Sequence, residues 1–260
     1  MEMDEVRRKV HIKKYPTRHA MGGAAAIAVA LQAGRLLQQQ DAVNIIFAAA
    51  PSQNEFLDAL LQQDIDWTRI NAFQMDEYVG LPADAPQGFG NFLKHRLFDR
   101  VPLRAIHYLN GNAPDPEREC DRYTALINAH PTDIVCLGIG ENGHLAFNDP
   151  PVADFEDTET VKVVALDGVC RQQQVNDGCF KVLTDVPATA LTLTIPALMK
   201  GTFLYCMVPA ALKAEAVYNT FYQAISPLYP STVLRTHPNV SMFLDEESAR
   251  LLDERLLQSG

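Results

Sequence analysis

Apolar and polar positions along this chain alternate between two kinds of run. Ala- and Leu-rich Thr17–Gln40, with a few polar positions, predicts a long helix. Val43 to Ala50 is continuous and apolar and predicts a buried strand; Pro51 ends it, and Ser52 is read as the N-cap of a helix through about Gln63. Further strands are expected at Arg69 to Met75, Thr132 to Gly138, Val161 to Leu166, Ala190 to Ile195, Thr202 to Val208 and Val240 to Leu244. Helices are expected at Gly88 to Arg100, Pro116 to His130, Ala210 to Gln223 and Glu246 to Leu257. Strands alternating with helices imply an α/β fold: a three-layer, Rossmann-like, mostly parallel sheet with helices on both faces. No repeat or linker interrupts the pattern, so one domain over residues 1–260 is expected. In such folds ligands bind beyond the carboxyl ends of strands, which directs attention to the loops that follow them.

Composition narrows the classes. The chain has 260 residues, 47% hydrophobic and 21% charged, ordinary for a domain with a sizeable core. The net charge of −10 is a poor match for nucleic acid, though a local cation cluster can still hold a small anion. No apolar run is read as long enough to span a bilayer, and Met1 to Lys14 lacks the apolar core of a signal peptide, so a cytoplasmic protein is expected. The five cysteines have no CxxC spacing and read as free, mostly buried thiols. The seven histidines are dispersed without ligand spacing, so no metal site is expected.

Two loops carry unusual chemistry. In Phe73-Gln74-Met75-Asp76-Glu77-Tyr78-Val79-Gly80-Leu81 an apolar strand runs straight into adjacent carboxylates. In Gly138-Ile139-Gly140-Glu141-Asn142-Gly143-His144-Leu145-Ala146-Phe147-Asn148-Asp149-Pro150, three glycines within six residues let the backbone turn tightly beside a ligand. His144 follows, with Asn142, Asn148 and Asp149 near enough in sequence to orient it. The glycine spacing matches a dinucleotide fingerprint, but Pro150-Pro151 breaks any following helix early, so none is inferred.

These loops together resemble the glucosamine-6-phosphate deaminase/isomerase family, which is related to 6-phosphogluconolactonase. The resemblance extends to Tyr108-Leu109-Asn110-Gly111-Asn112-Ala113-Pro114-Asp115, Glu119-Cys120, Tyr123, Val186-Pro187 through Thr192, Lys213 and His237-Pro238. Lactonases tend to continue the Gly-His pair with Thr-Ala-Ser; Ala146-Phe147-Asn148 fits the deaminase branch. The resemblance implies conversion of a hexosamine 6-phosphate, glucosamine or galactosamine 6-phosphate, to a ketohexose 6-phosphate and ammonia, without metal or cofactor. It implies Asp76 as the base at C2 and C1, and His144 as the proton shuttle in ring opening, supported by Asn142 and Asp149. It places the phosphate on the turn at Ala49, Ala50, Ser52 and Gln53 and on Lys213, with Glu77 beside the substrate. The family's phosphate arginine has no clear counterpart: aligning back from Val186-Pro187 puts Asp177 in its place, and Arg171 is the candidate expected to reach in from nearby. Relatives form oligomers, so a homo-oligomer is left open, with no interface legible in the sequence.

The chain departs from the family where an Asp-Gly-His loop becomes Asn142-Gly143-His144 and Asn-Glu-Pro becomes Asn148-Asp149-Pro150. Asn keeps hydrogen bonding but removes a charge, so a lower His144 pKa than in relatives is expected. A lactone hydrolase and a sugar-phosphate sensor with an impaired site are the competing readings. Allosteric relatives carry a basic stretch after Asn-Glu-Pro; this chain has Asp154-Phe155-Glu156-Asp157-Thr158-Glu159, which would repel a phosphorylated activator. N-acetylglucosamine 6-phosphate is therefore predicted not to activate; a tenfold rise in kcat/KM on adding it would contradict this.

Overall fold

The computed structural model describes residues 10–257. Its strands are β1 (Val10–Tyr15), β2 (Val43–Phe47), β3 (Ile70–Gln74), β4 (Asp76–Tyr78), β5 (Ala105–His107), β6 (Ile134–Leu137), β7 (Val161–Ala165), β8 (Thr189–Leu193), β9 (Phe203–Val208) and β10 (Val240–Asp245). A seven-stranded sheet has the order β1-β10-β9-β6-β2-β3-β5, and its pairs are all parallel. The other strands form a separate three-stranded antiparallel sheet, β4-β8-β7.

Strands of the large sheet are apolar throughout because both faces are covered. Along β6, Ile134 and Cys136 face one core, while Val135 and Leu137 face the other. The first core is closed by α1 (Arg18–Leu37), α2 (Asn54–Leu60) and α3 (Phe89–Arg96). The second is closed by α4 (Pro116–Ala129) and, beyond the short helix α5 (Gly168–Asn176), by α6 (Ile195–Met199), α7 (Ala214–Tyr222) and α8 (Glu254–Leu257). The three-layer α/β architecture is the one expected, with burial of each aliphatic side chain contributing roughly 1.5–3 kcal/mol.

Several elements differ from the expectation. The runs near residues 161–166 and 190–195 do not join the parallel sheet; they form the antiparallel one, because β4 leaves the end of β3 and pairs with β8. Strand β1 was hidden in a charged stretch: Val10 and Ile12 point inward while His11 and Lys14 are exposed or nearly so. Residues 1–9 of that stretch lie outside the described residues. The helix expected over Glu246–Leu257 is confined to α8; Asp245 instead folds the chain back, its carboxylate accepting from Ser248 N at 2.8 Å. Ser52 is no N-cap: residues Pro51–Gln53 form a 3-10 turn entered from Ala50 without a side-chain cap, and α2 starts after it.

Helix α1 begins at Thr17, whose hydroxyl accepts from Ala20 N. Contrary to the sequence reading, α1 is long and apolar enough to cross a membrane by length and composition alone. Here its buried face, with Met21, Ala25, Ala26, Val29 and Ala33, packs into the core. Gly22 lies on that face against α2, where an added Cβ would sit 2.7 Å from the backbone of Glu55 and Phe56; next door, Gly23 faces open space. Gly22→Ala is predicted to destabilise by about 1–3 kcal/mol in urea denaturation, through forced separation of α1 and α2. Gly23→Ala should gain ~0.5–1 kcal/mol from helix propensity. Equal effects would contradict the packing.

Candidate active site

The cleft opens where β3 gives way to β4. Tyr123 on α4 pins this point: its hydroxyl accepts from Gln74 N at 2.9 Å and donates to Gln74 O at 2.7 Å. The chain then crosses from one sheet to the other, and successive side chains of β4 fall on opposite sides. Asp76 turns into the cleft, only 6% exposed, and its carboxylate accepts no hydrogen bond from the described residues. Glu77 takes the opposite course. Its Oε1 accepts from Tyr78 N and Phe89 N, and its Oε2 from Gln74 Nε2 and Gly90 N, all within 3.0 Å. The sequence reading put Glu77 beside the substrate; the structure instead turns it away from this cleft to cap the start of α3. Tyr78 anchors β4 among Phe89, Phe147 and Phe180, with ring centroids 4.8, 5.2 and 5.6 Å away.

The glycine loop brings His144 to the same cleft. In register, Asp76 lies opposite Thr192 of β8, and Thr192 Oγ1 accepts from Phe147 N at 3.1 Å. Asn148 is fully buried and donates to Leu145 O and Leu193 O, both at 2.8 Å. Asn148 thus ties the loop to β8 and does not orient the histidine. That role falls to the two other expected residues. His144 Nδ1 lies 2.8 Å from Asn142 Oδ1 and 3.0 Å from Asp149 Oδ1, and Asn142 Nδ2 donates to Asp149 Oδ1 at 2.8 Å. Nε2 has no partner among the described protein groups and is left to the cleft. The imidazole lies flat on Gly140, where any Cβ would collide with the ring. Gly143 has φ +84 and Ala146 φ +50, so the loop is wound through left-handed conformations on both sides of His144.

The same cleft is also lined by Ala49, Ala50, Ser52, Gln53, Asp177 and Lys213. Lys213 is buried at the end of a 3-10 turn; that turn follows Ala210, whose φ of +82 is held by its N–H donating to both oxygens of Asp245. The sequence reading placed Arg171 here, and the structure does not. Its guanidinium donates to Leu183 O and Val186 O and lines no part of the cleft. The second cation is Arg18, from the first turn of α1, held by Glu55 at 2.6 Å and Pro51 O at 3.0 Å. Nothing in its local sequence signals that role, because the contact depends on how α1 packs. Gln173 and Gln174, also unforeseen, line the wall beside Asp177.

Burial sets the electrostatics. It pushes the Asp76 carboxyl well above the usual carboxylate range, and the negative charge of Glu77 adds to the rise. Burial works to raise Asp149 as well, but the His144 imidazole and the hydrogen bonds from His144 and Asn142 outweigh it, and its pKa ends lowered. Burial lowers the Lys213 ammonium, against opposing pulls from Asp177 and Glu141. The structure also brings His144, Asp149 and Cys170 together, with ligand atoms within 4.8 Å of one another, a trio the dispersed histidines did not suggest. A donor-free carboxylate, an oriented imidazole and two cations suit proton transfer on an anionic polyol.

The Asp76 shift has a stability consequence. A carboxyl whose folded pKa is raised carries no penalty below the unfolded value of about 4; the penalty grows as pH rises towards the folded value and is complete above it. Asp76→Asn is therefore predicted to raise Tm at neutral pH, with the advantage vanishing near pH ~4. A lowered Tm at neutral pH would contradict the assigned environment.

Comparison with known proteins agrees with this geometry. Residues 16–242 match the family model described as glucosamine-6-phosphate isomerases/6-phosphogluconolactonase. Glucosamine-6-phosphate deaminases of Bacillus cytotoxicus and Bacillus anthracis are 35% identical over 192 residues, 74% of this chain and 71% of theirs. A solved monomeric glucosamine-6-phosphate deaminase superposes with a TM-score of 0.84 at 27% identity, covering 93% of this chain and 99% of its own. A 6-phosphogluconolactonase from Thermotoga maritima shares the fold, with a TM-score of 0.75 at 20% identity over 91% of this chain and 100% of its own. The chain belongs to the glucosamine-6-phosphate isomerase/6-phosphogluconolactonase family.

Proposed function

We propose that this protein is an enzyme that isomerises and deaminates a hexosamine 6-phosphate, glucosamine or galactosamine 6-phosphate, to a ketohexose 6-phosphate and ammonia. The observation that carries the reading is Asp76: a carboxylate in the cleft, free of hydrogen-bond donors, with its pKa raised. Such a group is a stronger base than an exposed carboxylate and is not engaged elsewhere. His144 Nε2 moves the proton from the anomeric hydroxyl to the ring oxygen as the ring opens. Asp76 then takes the proton from C2 and returns one to C1, while O1 gains a proton given up by the amino group, leaving an imine at C2. Water adds to that imine, and ammonia leaves with the nitrogen.

The phosphate sits on Lys213 and Arg18 and against the turn at Ala50 to Gln53. That position leaves C1 and C2 towards Asp76 and His144. Asn142 accepts from the imidazole while Asp149 supplies the negative charge at Nδ1, so the departure from Asp-Gly-His does not strip the ring of an anionic neighbour. A monomeric deaminase is among the structural relatives, and the reading calls on no partner subunit. The lack of a membrane role and a cytoplasmic setting belong to the same proposal.

The test is product formation from glucosamine and galactosamine 6-phosphates, with 6-phosphogluconolactone as the competing substrate. Ammonia and a ketohexose 6-phosphate are expected in equal amounts from at least one amino sugar, with Asp76→Asn reducing kcat by roughly 10²–10⁴-fold. Hydrolysis of the lactone with the amino sugars spared would overturn the reading.

A further inference from the structure

The trio His144, Asp149 and Cys170 is a feature that proton transfer alone does not use. Cys170, in the first turn of α5, is fully buried, and its thiol lies against the Asp149 carboxylate. Asp149 is 1% exposed, and its Oδ2 has no nitrogen or oxygen partner. A carboxylate oxygen this deep, met at best by the weak donor of the Cys170 thiol, is expensive unless something better comes to meet it. An imidazole nitrogen, a carboxylate and a thiol form a donor set that zinc takes readily, and the sulfur disfavours magnesium and calcium.

We propose that His144 Nδ1, Asp149 and Cys170 bind one soft divalent transition-metal ion of the zinc class, and that its occupancy switches off the proton-transfer site. The proposal rests on the reading of His144 as the shuttle. Tetrahedral ligands at zinc bond lengths stand about 3.3–3.6 Å apart. The trio lies within 4.8 Å, so closing on an ion requires a movement of roughly 1.5 Å at most. Of the three ligands only His144 lines the cleft, so the ion enters past its ring, and a water completes the coordination.

The switch follows from the imidazole. A metal on Nδ1 displaces the hydrogen bond to Asn142 and confines the ring proton to Nε2. The nitrogen facing the cleft can then no longer accept a proton, and the sugar ring cannot be opened by that route. Binding also converts the Cys170 thiol to a thiolate and releases its proton. Metal affinity should therefore fall as pH is lowered.

Two readouts test this without relying on turnover. Metal-free, reduced full-length protein is titrated with Co²⁺ under nitrogen. One equivalent is expected to produce a thiolate-to-cobalt charge-transfer band in the near ultraviolet, absent in Cys170→Ser and kept in Cys120→Ser. X-ray absorption of the Zn²⁺-loaded wild type needs no variant and should show one sulfur at ~2.3 Å with nitrogen and oxygen ligands filling the rest. Where turnover is measurable, Zn²⁺ should inhibit reversibly by chelator, and Cys170→Ser, scored against its own metal-free rate, should need roughly tenfold more Zn²⁺ or beyond. A zinc shell without sulfur, or a cobalt band that survives Cys170→Ser, overturns the proposal. Failure of the amino-sugar assay would leave the cobalt and absorption results standing, so the two readings fail separately.

Discussion

Asp76 holds its carboxylate out of water with no donor to meet it, and much of the surrounding structure exists to keep it there. The neighbouring carboxylate shows how. Glu77, one residue on, is satisfied by three backbone amides and the Gln74 side chain, and it fixes the start of α3. The pleat of β4 sends one acid into that scaffold and the other into the cleft. The same arrangement adds charge repulsion to desolvation, and both raise the Asp76 pKa. Stability is given up at this residue in exchange for basicity, a pattern found where strain and chemistry coincide.

Position matters as much as basicity. Asp76 and His144 come from segments far apart in the chain, and β8 connects them. Thr192 lies opposite Asp76 across the antiparallel pair and accepts the Phe147 amide, while Asn148 binds the carbonyls around it. The ring of His144 then needs a flat bed, which only a residue without a side chain at 140 supplies. Asn142 and Asp149 hold Nδ1, so that the other nitrogen is the one presented. The small antiparallel sheet is thus the clamp that joins Asp76 to His144, while α1 and the turn after β9 bring the cations Arg18 and Lys213 to the same cleft.

Much of this was legible from sequence where chemistry and local pattern coincide. Strands β2, β3, β6 and β9 stand out as apolar runs because they are covered on both faces, and the loops after β3 and β6 carry the polar residues. Asn142, Asn148 and Asp149 were read as the histidine's neighbours from their nearness in sequence; the first and last hold the ring, while Asn148 ties the loop to β8. What escaped depends on tertiary packing. Asp-Glu pairs look alike in sequence; only the pleat separates Asp76 from Glu77. Arg171 is close in sequence to the cleft, yet its guanidinium satisfies the turn at Leu183–Val186. Arg18 is remote in sequence and reaches the cleft through the crossing of α1 and α2, set by Gly22. The split into two sheets was invisible because β7 and β8 have the same apolar composition as strands of the larger one.

The central claim is spatial: one sugar phosphate lies with its anion at Lys213 and its reacting carbons at Asp76. A crystal structure with 2-amino-2-deoxyglucitol 6-phosphate, the reduced open-chain form of the amino sugar, tests it most directly. The phosphate should lie on Lys213 and Arg18, the C1–C2 unit against the Asp76 carboxylate, and O5 within reach of His144 Nε2. A ligand bound the other way round, or with C1 and C2 remote from Asp76, would contradict the account.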